Sequence, residues 1–409
     1  MKGPARSIVR FLHTRLGTFP LRRCDLPLWV VVIGVLGGLI AGVSGDGVAS
    51  AIGTTVTALD LPAEAVDGSF TQVVDDAVES HHPFRPAAVM LVTVPRYLLF
   101  RETPEGVVVG RDGRLFTAEE LEVTENDESR RARRTAHIIS QAEAASDRQI
   151  TTVVVLMPSK ARIAVERLPR KYRDAALNPR YDRTIRDLRE AGIPVVDPRP
   201  VLTPERFFSR DTHWRPEGAA AVAGSVADAV PLPAAMQTPF RLEPRDPGSV
   251  GGTATGDATA PGVVEFEGDL LSFVPVGPFA TLLGLTPERY RPVVAVPGAD
   301  RSGGDSPAAG GLFDTPTIPV SLVGTSYSAD ERWGFAEHLK VQLSADVLNV
   351  ATSGEGPFVP MADYLAGDTV REIPPEVIVW EIPERYLTLP GYSVSAPADR
   401  AGSAAPEDG

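Results

Sequence analysis

Five short apolar runs rich in β-branched residues punctuate the chain: TTVVVLMP at 151–158, GIPVVD at 192–197, IPVSLVG at 318–324, ADVLNV at 345–350 and EVIVWEI at 376–382. Runs of this length with so little charge suit strands buried on both faces of a sheet. Helical patterns fill the intervals at 129–145, 181–191, 216–230 and 329–343. The alternation predicts an α/β fold, a three-layer α/β/α domain with a mostly parallel five-stranded sheet. With 409 residues, 43% of them hydrophobic, the chain can fill such a core.

Around this sheet the domain is expected to span residues 65–390. Ahead of it, AAVMLVTVPRYLLF and GVVVGRDGRLF, within 84–116, read as strand, turn, strand: a hairpin at the sheet edge. From 244 to 317 the sequence turns rich in Gly, Ala, Pro and Asp, which predicts an excursion with flexible ends around the more ordered GDLLSFVPVGPFATLLGL. The tail at 391–409 holds few apolar residues and is expected to be disordered. No internal repeat is present.

Residues 26–43, LPLWVVVIGVLGGLIAGV, carry no charge and are just long enough to cross a bilayer as a helix. The arm at 1–25 holds Lys2, Arg6, Arg10, Arg15, Arg22 and Arg23 against one acid, Asp25, whereas Asp46, Asp60 and Glu64 follow the apolar run. The positive-inside rule then predicts a cytoplasmic arm, a signal anchor at 26–44, a spacer at 45–64 and a domain facing the periplasm or another extracytoplasmic space. A signal peptide cleaved near Ala49-Ser50-Ala51 is the alternative, although the apolar run exceeds a usual h-region.

The one cysteine, Cys24, precedes the apolar run, so there is neither a disulfide framework nor a thiolate metal site. Net charge is −13, and the arm's +5 leaves −18 on the remainder. That balance argues against a sequence-blind nucleic-acid binder, and a polyanionic substrate would need a local basic groove. No Gly loop followed by Lys and Ser/Thr is available to cradle the phosphates of a cofactor such as acetyl-CoA.

Catalysis without metal or cofactor needs a nucleophile, a base beside it and a group that orients the base. Of six histidines, His13 lies in the arm, His81 and His82 abut Pro83, and His137 and His338 fall inside predicted helices. His213 alone sits in a loop entering a helix, in DTHWRPEGAA at 211–220. Asp211 is close enough to accept from one ring nitrogen and leave the other for a substrate. The alternative is that Asp211 or Thr212 only caps the helix that Pro216 begins. In SLVGTSYSADERWGF, at 321–335, a strand pattern ends in Gly324-Thr325-Ser326, which places Ser326 at a strand's carboxyl end, where α/β sheets bind ligands. Here, too, capping is the alternative, and Ser328 fits that cap better. The G-x-S-x-G elbow of α/β-hydrolases is absent.

Taken together, G-T-S-Y-S, the upstream D-T-H-W-x-P-x-G-A, GDLLSF and the closing VIVWEIPERYL resemble the alginate O-acetyltransferase AlgJ/AlgX family, which has an SGNH-hydrolase-like domain. The resemblance runs in motif order through roughly residues 65–390. It implies that Ser326 is the nucleophile, His213 its general base and Asp211 the orienting carboxylate. It further implies transfer of acetyl to hydroxyls of an exported polysaccharide, received from a multispanning membrane partner of the MBOAT type.

Two oxyanions would then need donors, for which the candidates are the Ser326 N–H, Gly354 (or Gly356) in TSGEGP, and Asn349 at a strand end, because the usual SGNH block G-x-N-D is missing. Lys160 and Arg385 follow strands and are candidates to meet an acidic sugar at the rim, with solvated surface charge as the alternative. Trp214 and Tyr327 flank the two motifs and are candidates to stack on sugar rings, with core packing as the alternative. The same triad would serve a carbohydrate acetylesterase, and a non-catalytic polysaccharide-binding subunit would share the fold.

Overall fold

The computed structural model describes residues 85–392 apart from 104–105, 231, 251–252, 255–261 and 299–317. The arm at 1–25, the anchor at 26–44, the spacer and the tail from 393 on lie outside the described residues. Two compact units are present, one holding the helix Arg85–Phe100 with Pro275–Gly277, the other Arg101–Val274 and the chain from Pro278.

The run expected to be the first strand of an edge hairpin is that helix, Arg85–Phe100, with Pro95 inside it. An apolar stretch of this length exceeds an ordinary strand, and length decides where periodicity does not. The hairpin forms from the second run alone, Val107–Val109 against Leu115–Thr117. Among the described residues no helix is long and apolar enough to cross a membrane.

The five apolar runs form one sheet. Its strands are β1 (Thr151–Met157), β2 (Val195–Val196), β3 (Val320–Val323), β4 (Val347–Asn349) and β5 (Val377–Pro383), in the spatial order β4-β3-β5-β1-β2 with every pairing parallel. The last strand is inserted at the centre, its seven residues in register with those of β1 from Thr151↔Val377 to Met157↔Pro383.

The strand period of two divides the core. Val153, Val155, Val377 and Val379 face helices α3 (Pro216–Ala229) and α5 (Phe335–Leu343), packing with Val222, Val226 and Leu339. Val154, Leu156, Ile378 and Trp380 face α1 (Asp127–Ser146), α2 (Arg180–Glu190) and α6 (Phe358–Ala366), packing with Ile138, Ile185 and Met361. The result is the expected three-layer α/β/α architecture with a parallel five-stranded sheet.

The helix expected at 329–343 is broken. A single turn, α4 (Ser326–Ala329), ends before residues 330–334, and α5 starts after Gly334, which adopts a left-handed φ of 64°. Most of the Gly-rich ends of the excursion lie outside the described residues, and short strands form beside them. Phe240–Pro244 pairs with Val293–Pro297, and Thr253–Ala254, Val264–Phe266 and Glu288–Tyr290 make a three-stranded sheet.

Candidate active site

Parallel strands bring their carboxyl ends to one edge of the sheet, where Ser326 follows β3. Thr325 caps α4, its hydroxyl accepting from the Tyr327 N–H, which leaves Ser326 as the first helical residue with its own hydroxyl uncommitted to a cap. The turn is anchored from below by Glu381. Residues 377, 379 and 381 share a face of β5, so the Glu381 carboxylate lies under the turn, fully buried. It accepts from the Thr325 N–H at 2.9 Å, the Thr325 hydroxyl at 3.0 Å and the Ser328 hydroxyl at 3.1 Å. Burial pushes this carboxyl above its ordinary range, against the pull of the Thr325 and Ser328 bonds. A Cβ at position 324 would stand 2.6 Å from Glu381 Oε2, so only glycine fits there.

The loop carrying Asp211 and His213 is closed by a bridge between Phe207 and Trp214 and by the Phe208 N–H on the His213 carbonyl at 3.2 Å. Helix α3 starts at Pro216 with Arg215 as its N-cap and no capping side chain, so neither Asp211 nor Thr212 caps it. Asp211 Oδ1 is 2.7 Å from His213 Nδ1 and accepts the His213 backbone N–H at 2.8 Å, while Oδ2 accepts the Asp269 N–H at 3.0 Å. His213 Nε2 is 2.8 Å from Ser326 Oγ. Burial alone would raise the Asp211 carboxyl, but the bond and charge of His213 and the two N–H donors hold it well below its ordinary range. Asp211 and His213 are buried and Ser326 half-buried, so the chain Asp211–His213–Ser326 opens outward at the serine. The His213 ring stacks on Trp333 at 5.2 Å and leans against Tyr327 at 4.8 Å.

Asp211, His213 and Asp269 offer ligand atoms within 4.8 Å of one another. Two ligands about 2.0–2.2 Å from one tetrahedral ion stand about 3.3 Å apart. Asp211 Oδ1 and His213 Nδ1, at 2.7 Å, are closer than that and fit a shared proton instead.

Residues 107–384 match the model of the family described as SGNH hydrolase-like domain, acetyltransferase AlgX. The chain belongs to the AlgX family of SGNH hydrolase-like acetyltransferases. It is 32% identical over 374 residues to the probable alginate O-acetylase AlgJ of Pseudomonas aeruginosa, covering 89% of this chain and 90% of that one. The AlgJ of Azotobacter vinelandii, with the same description, is 31% identical, with coverages of 78% and 80%. The solved O-acetyltransferase domain of Pseudomonas putida AlgJ superposes with a TM-score of 0.57 at 28% identity, covering 72% of this chain and 97% of that domain. As an AlgX-family chain the protein is an O-acetyltransferase.

Other expected site residues take different places. Lys160 is not at the rim: it is 1% exposed, and its ammonium donates to the carbonyls of Leu115 at 2.6 Å, Asp211 at 2.9 Å and Ser209 at 3.1 Å. Burial pulls it down to about 7, yet three carbonyl acceptors require the three protons of the ammonium. Arg385 is also interior, nine-tenths buried, with its guanidinium 5.0 Å from the Tyr386 ring centroid and Nε 3.9 Å from Glu119. Trp214 and Tyr327 are core residues. Trp214 packs edge-on to Tyr327 and against Phe335, and the Tyr327 hydroxyl donates to the Thr212 carbonyl at 2.7 Å. The Asn349 amide donates to the Ser328 carbonyl at 2.9 Å, which makes it a brace of α4 in place of an oxyanion donor. Gly354 is exposed at φ 89° in the loop whose Thr352 N–H bonds the Gly324 carbonyl at 3.1 Å, beside the nucleophile turn.

Three residues at the site carried no individual role in the sequence: Asp269, Glu381 and Trp333. Asp269 lies in GDLLSF, a motif recognised there without a role for its acid. Glu381 was visible as the one acid inside an apolar strand, a position that needs partners. Trp333 had no signal.

Proposed function

We propose that this chain moves acetyl groups through an acetyl-Ser326 intermediate onto hydroxyls of an exported polysaccharide, of which alginate is the example supplied by its relatives. The observation that carries the reading is the Asp211–His213–Ser326 chain, at 2.7 and 2.8 Å, in a member of an acetyltransferase family. His213 Nε2 takes the proton of Ser326 Oγ as Oγ attacks the acetyl carbonyl. The tetrahedral intermediate then expels the donor, which leaves with that proton. An acceptor hydroxyl next gives its proton to His213 and attacks the acetyl-serine, and Ser326 leaves and is reprotonated by His213. Asp211 orients the imidazole and stabilises its charged form. The N–H groups of Ser326 and Gly354 are the proposed oxyanion donors. The apolar run at 26–43 is the proposed anchor, holding the domain outside the cytoplasm beside a multispanning acetyl-donor protein of the MBOAT type.

Intact-mass spectrometry after brief exposure to p-nitrophenyl acetate tests this, with Ser326→Ala beside the wild type. One acetyl is expected on wild type alone, discharged faster by an oligosaccharide than by water. Discharge by water alone makes the chain an acetylesterase, and an adduct of equal yield on Ser326→Ala removes Ser326 as nucleophile.

A further inference from the structure

Asp269 arrives at the site from the excursion, 58 residues beyond Asp211 in sequence, and has no part in the mechanism above. Its backbone reaches Asp211 because residue 268 is glycine, where a Cβ would run into the carbonyl of Arg210. Its N–H donates to Asp211 Oδ2 at 3.0 Å, its Oδ1 accepts the Thr212 N–H at 2.8 Å, and its Oδ2 accepts the Thr212 hydroxyl. The Thr212 oxygen in turn lies 3.3 Å from His213 Nδ1, and Asp269 Oδ2 lies 3.9 Å from the same nitrogen.

We propose that Asp269 is a positioning residue of this site, a second carboxylate that acts on His213 through Thr212 and through Asp211. The direction of one hydroxyl carries the argument. An ionised carboxylate only accepts, so the Thr212 hydroxyl proton points at Asp269 and its lone pairs face His213 Nδ1. Lone pairs there favour a proton on Nδ1, which leaves Nε2 unprotonated to accept from Ser326. Asp269 thereby helps select the tautomer that acyl transfer needs, and it places a second negative charge near the ring when the imidazolium forms.

The other charged or titratable groups around the ring are Asp211, the Tyr327 phenol, the Lys160 ammonium on the Asp211 carbonyl, and the Arg332 guanidinium 4.6 Å from the Trp333 ring centroid. The Asp269 side chain is 41% exposed, so water screens its charge and its effect is smaller than that of Asp211.

The role rests on reading Ser326 and His213 as the acyl-transfer pair, and the test separates the two. In the full chain, Asp269→Asn is expected to lower kcat for p-nitrophenyl acetate hydrolysis about 3- to 10-fold at unchanged KM. The acid limb of its pH–rate profile should move about half a unit to lower pH, since the imidazolium loses a screened neighbouring charge. Thr212→Val should reproduce the loss and Thr212→Ser should restore it, which keeps the test open if Asp269→Asn folds poorly. An unmoved acid limb with kcat within twofold of wild type overturns the role of Asp269, as does full activity in Thr212→Val. Absence of an acetyl adduct on wild type would overturn the acyl-transfer reading itself, and the role with it.

Discussion

At the scale of single residues, the cost of the site is concentrated in buried carboxylates. Glu381 has no exposed surface and survives there because one N–H and two hydroxyls converge on it. All three donors meet on Oε2, where a glutamine oxygen could still accept them, whereas Glu381→Ala leaves them unpaired and should shift the Thr325–Ser326 turn. A displacement of that kind is expected to cost roughly 10-fold in kcat with the fold retained. Stability supplies a second readout. The folded-state value of Glu381 is raised, so the native state holds a proton that the unfolded chain releases near its ordinary 4.5. Wild type should therefore lose stability relative to Glu381→Gln as pH rises above that value, measured by urea unfolding at pH 4 and pH 8. Asp211 has the opposite sign: held low, it contributes stability that is present above its ordinary 3.8 and lost as pH falls through its folded value. Asp211→Asn should fold and lose about 10⁴-fold in ester turnover through a misoriented imidazole, and an unchanged rate would leave Asp211 a structural acceptor only. Asp211, His213 and Ser326 were legible in sequence because their motifs come in family order. Lys160 and Arg385 were misplaced because a cation after a strand reads the same whether it turns outward or inward.

At the scale of elements, Lys160 joins Tyr327 in tying the loop of residues 207–214 to the sheet. Lys160, just after β1, holds carbonyls of the hairpin strand Leu115–Thr117 and of residues 209 and 211 together. Lys160→Met should leave the Leu115 and Asp211 carbonyls without this donor, while the Ser209 carbonyl keeps the Leu115 N–H, destabilising the chain by about 1–3 kcal/mol and lowering kcat as Asp211 drifts. A variant that instead kept its thermal midpoint and kcat but bound an acidic oligosaccharide more weakly would return Lys160 to the rim. The five strands were legible as elements because β-branched runs this short suit little else. Over Arg85–Phe100 the Val and Thr residues favour a strand locally and Pro95 disfavours a helix interior, while the length of the run, the better guide, opposes a strand. The break at 330–334 was hidden because Asp330, Glu331 and Arg332 also suit a helix surface. Breaking there lets Trp333 lie flat on His213.

At the scale of the whole molecule, alternation in sequence predicted the layers but not the strand order. The last strand enters between β3 and β1, and pairings this distant in sequence leave no local trace. The same insertion puts Glu381 beneath Ser326, so the site depends on the complete sheet. The proposed place of this sheet, outside the cytoplasm, rests on chemistry at the other end of the chain. Eighteen uncharged residues at 26–43 follow an arm with six basic residues and one acid, and a bilayer core is the environment that satisfies such a run. The full chain should therefore sediment with membranes, resist alkaline carbonate and be released by detergent. A chain starting at residue 55 should stay in the aqueous fraction with unchanged turnover of p-nitrophenyl acetate, because every residue of the site lies beyond that point. A full-length chain recovered in the aqueous fraction with its first residues intact would remove the anchor, whereas a mature N-terminus near Ile52 would make the same run a cleaved export signal.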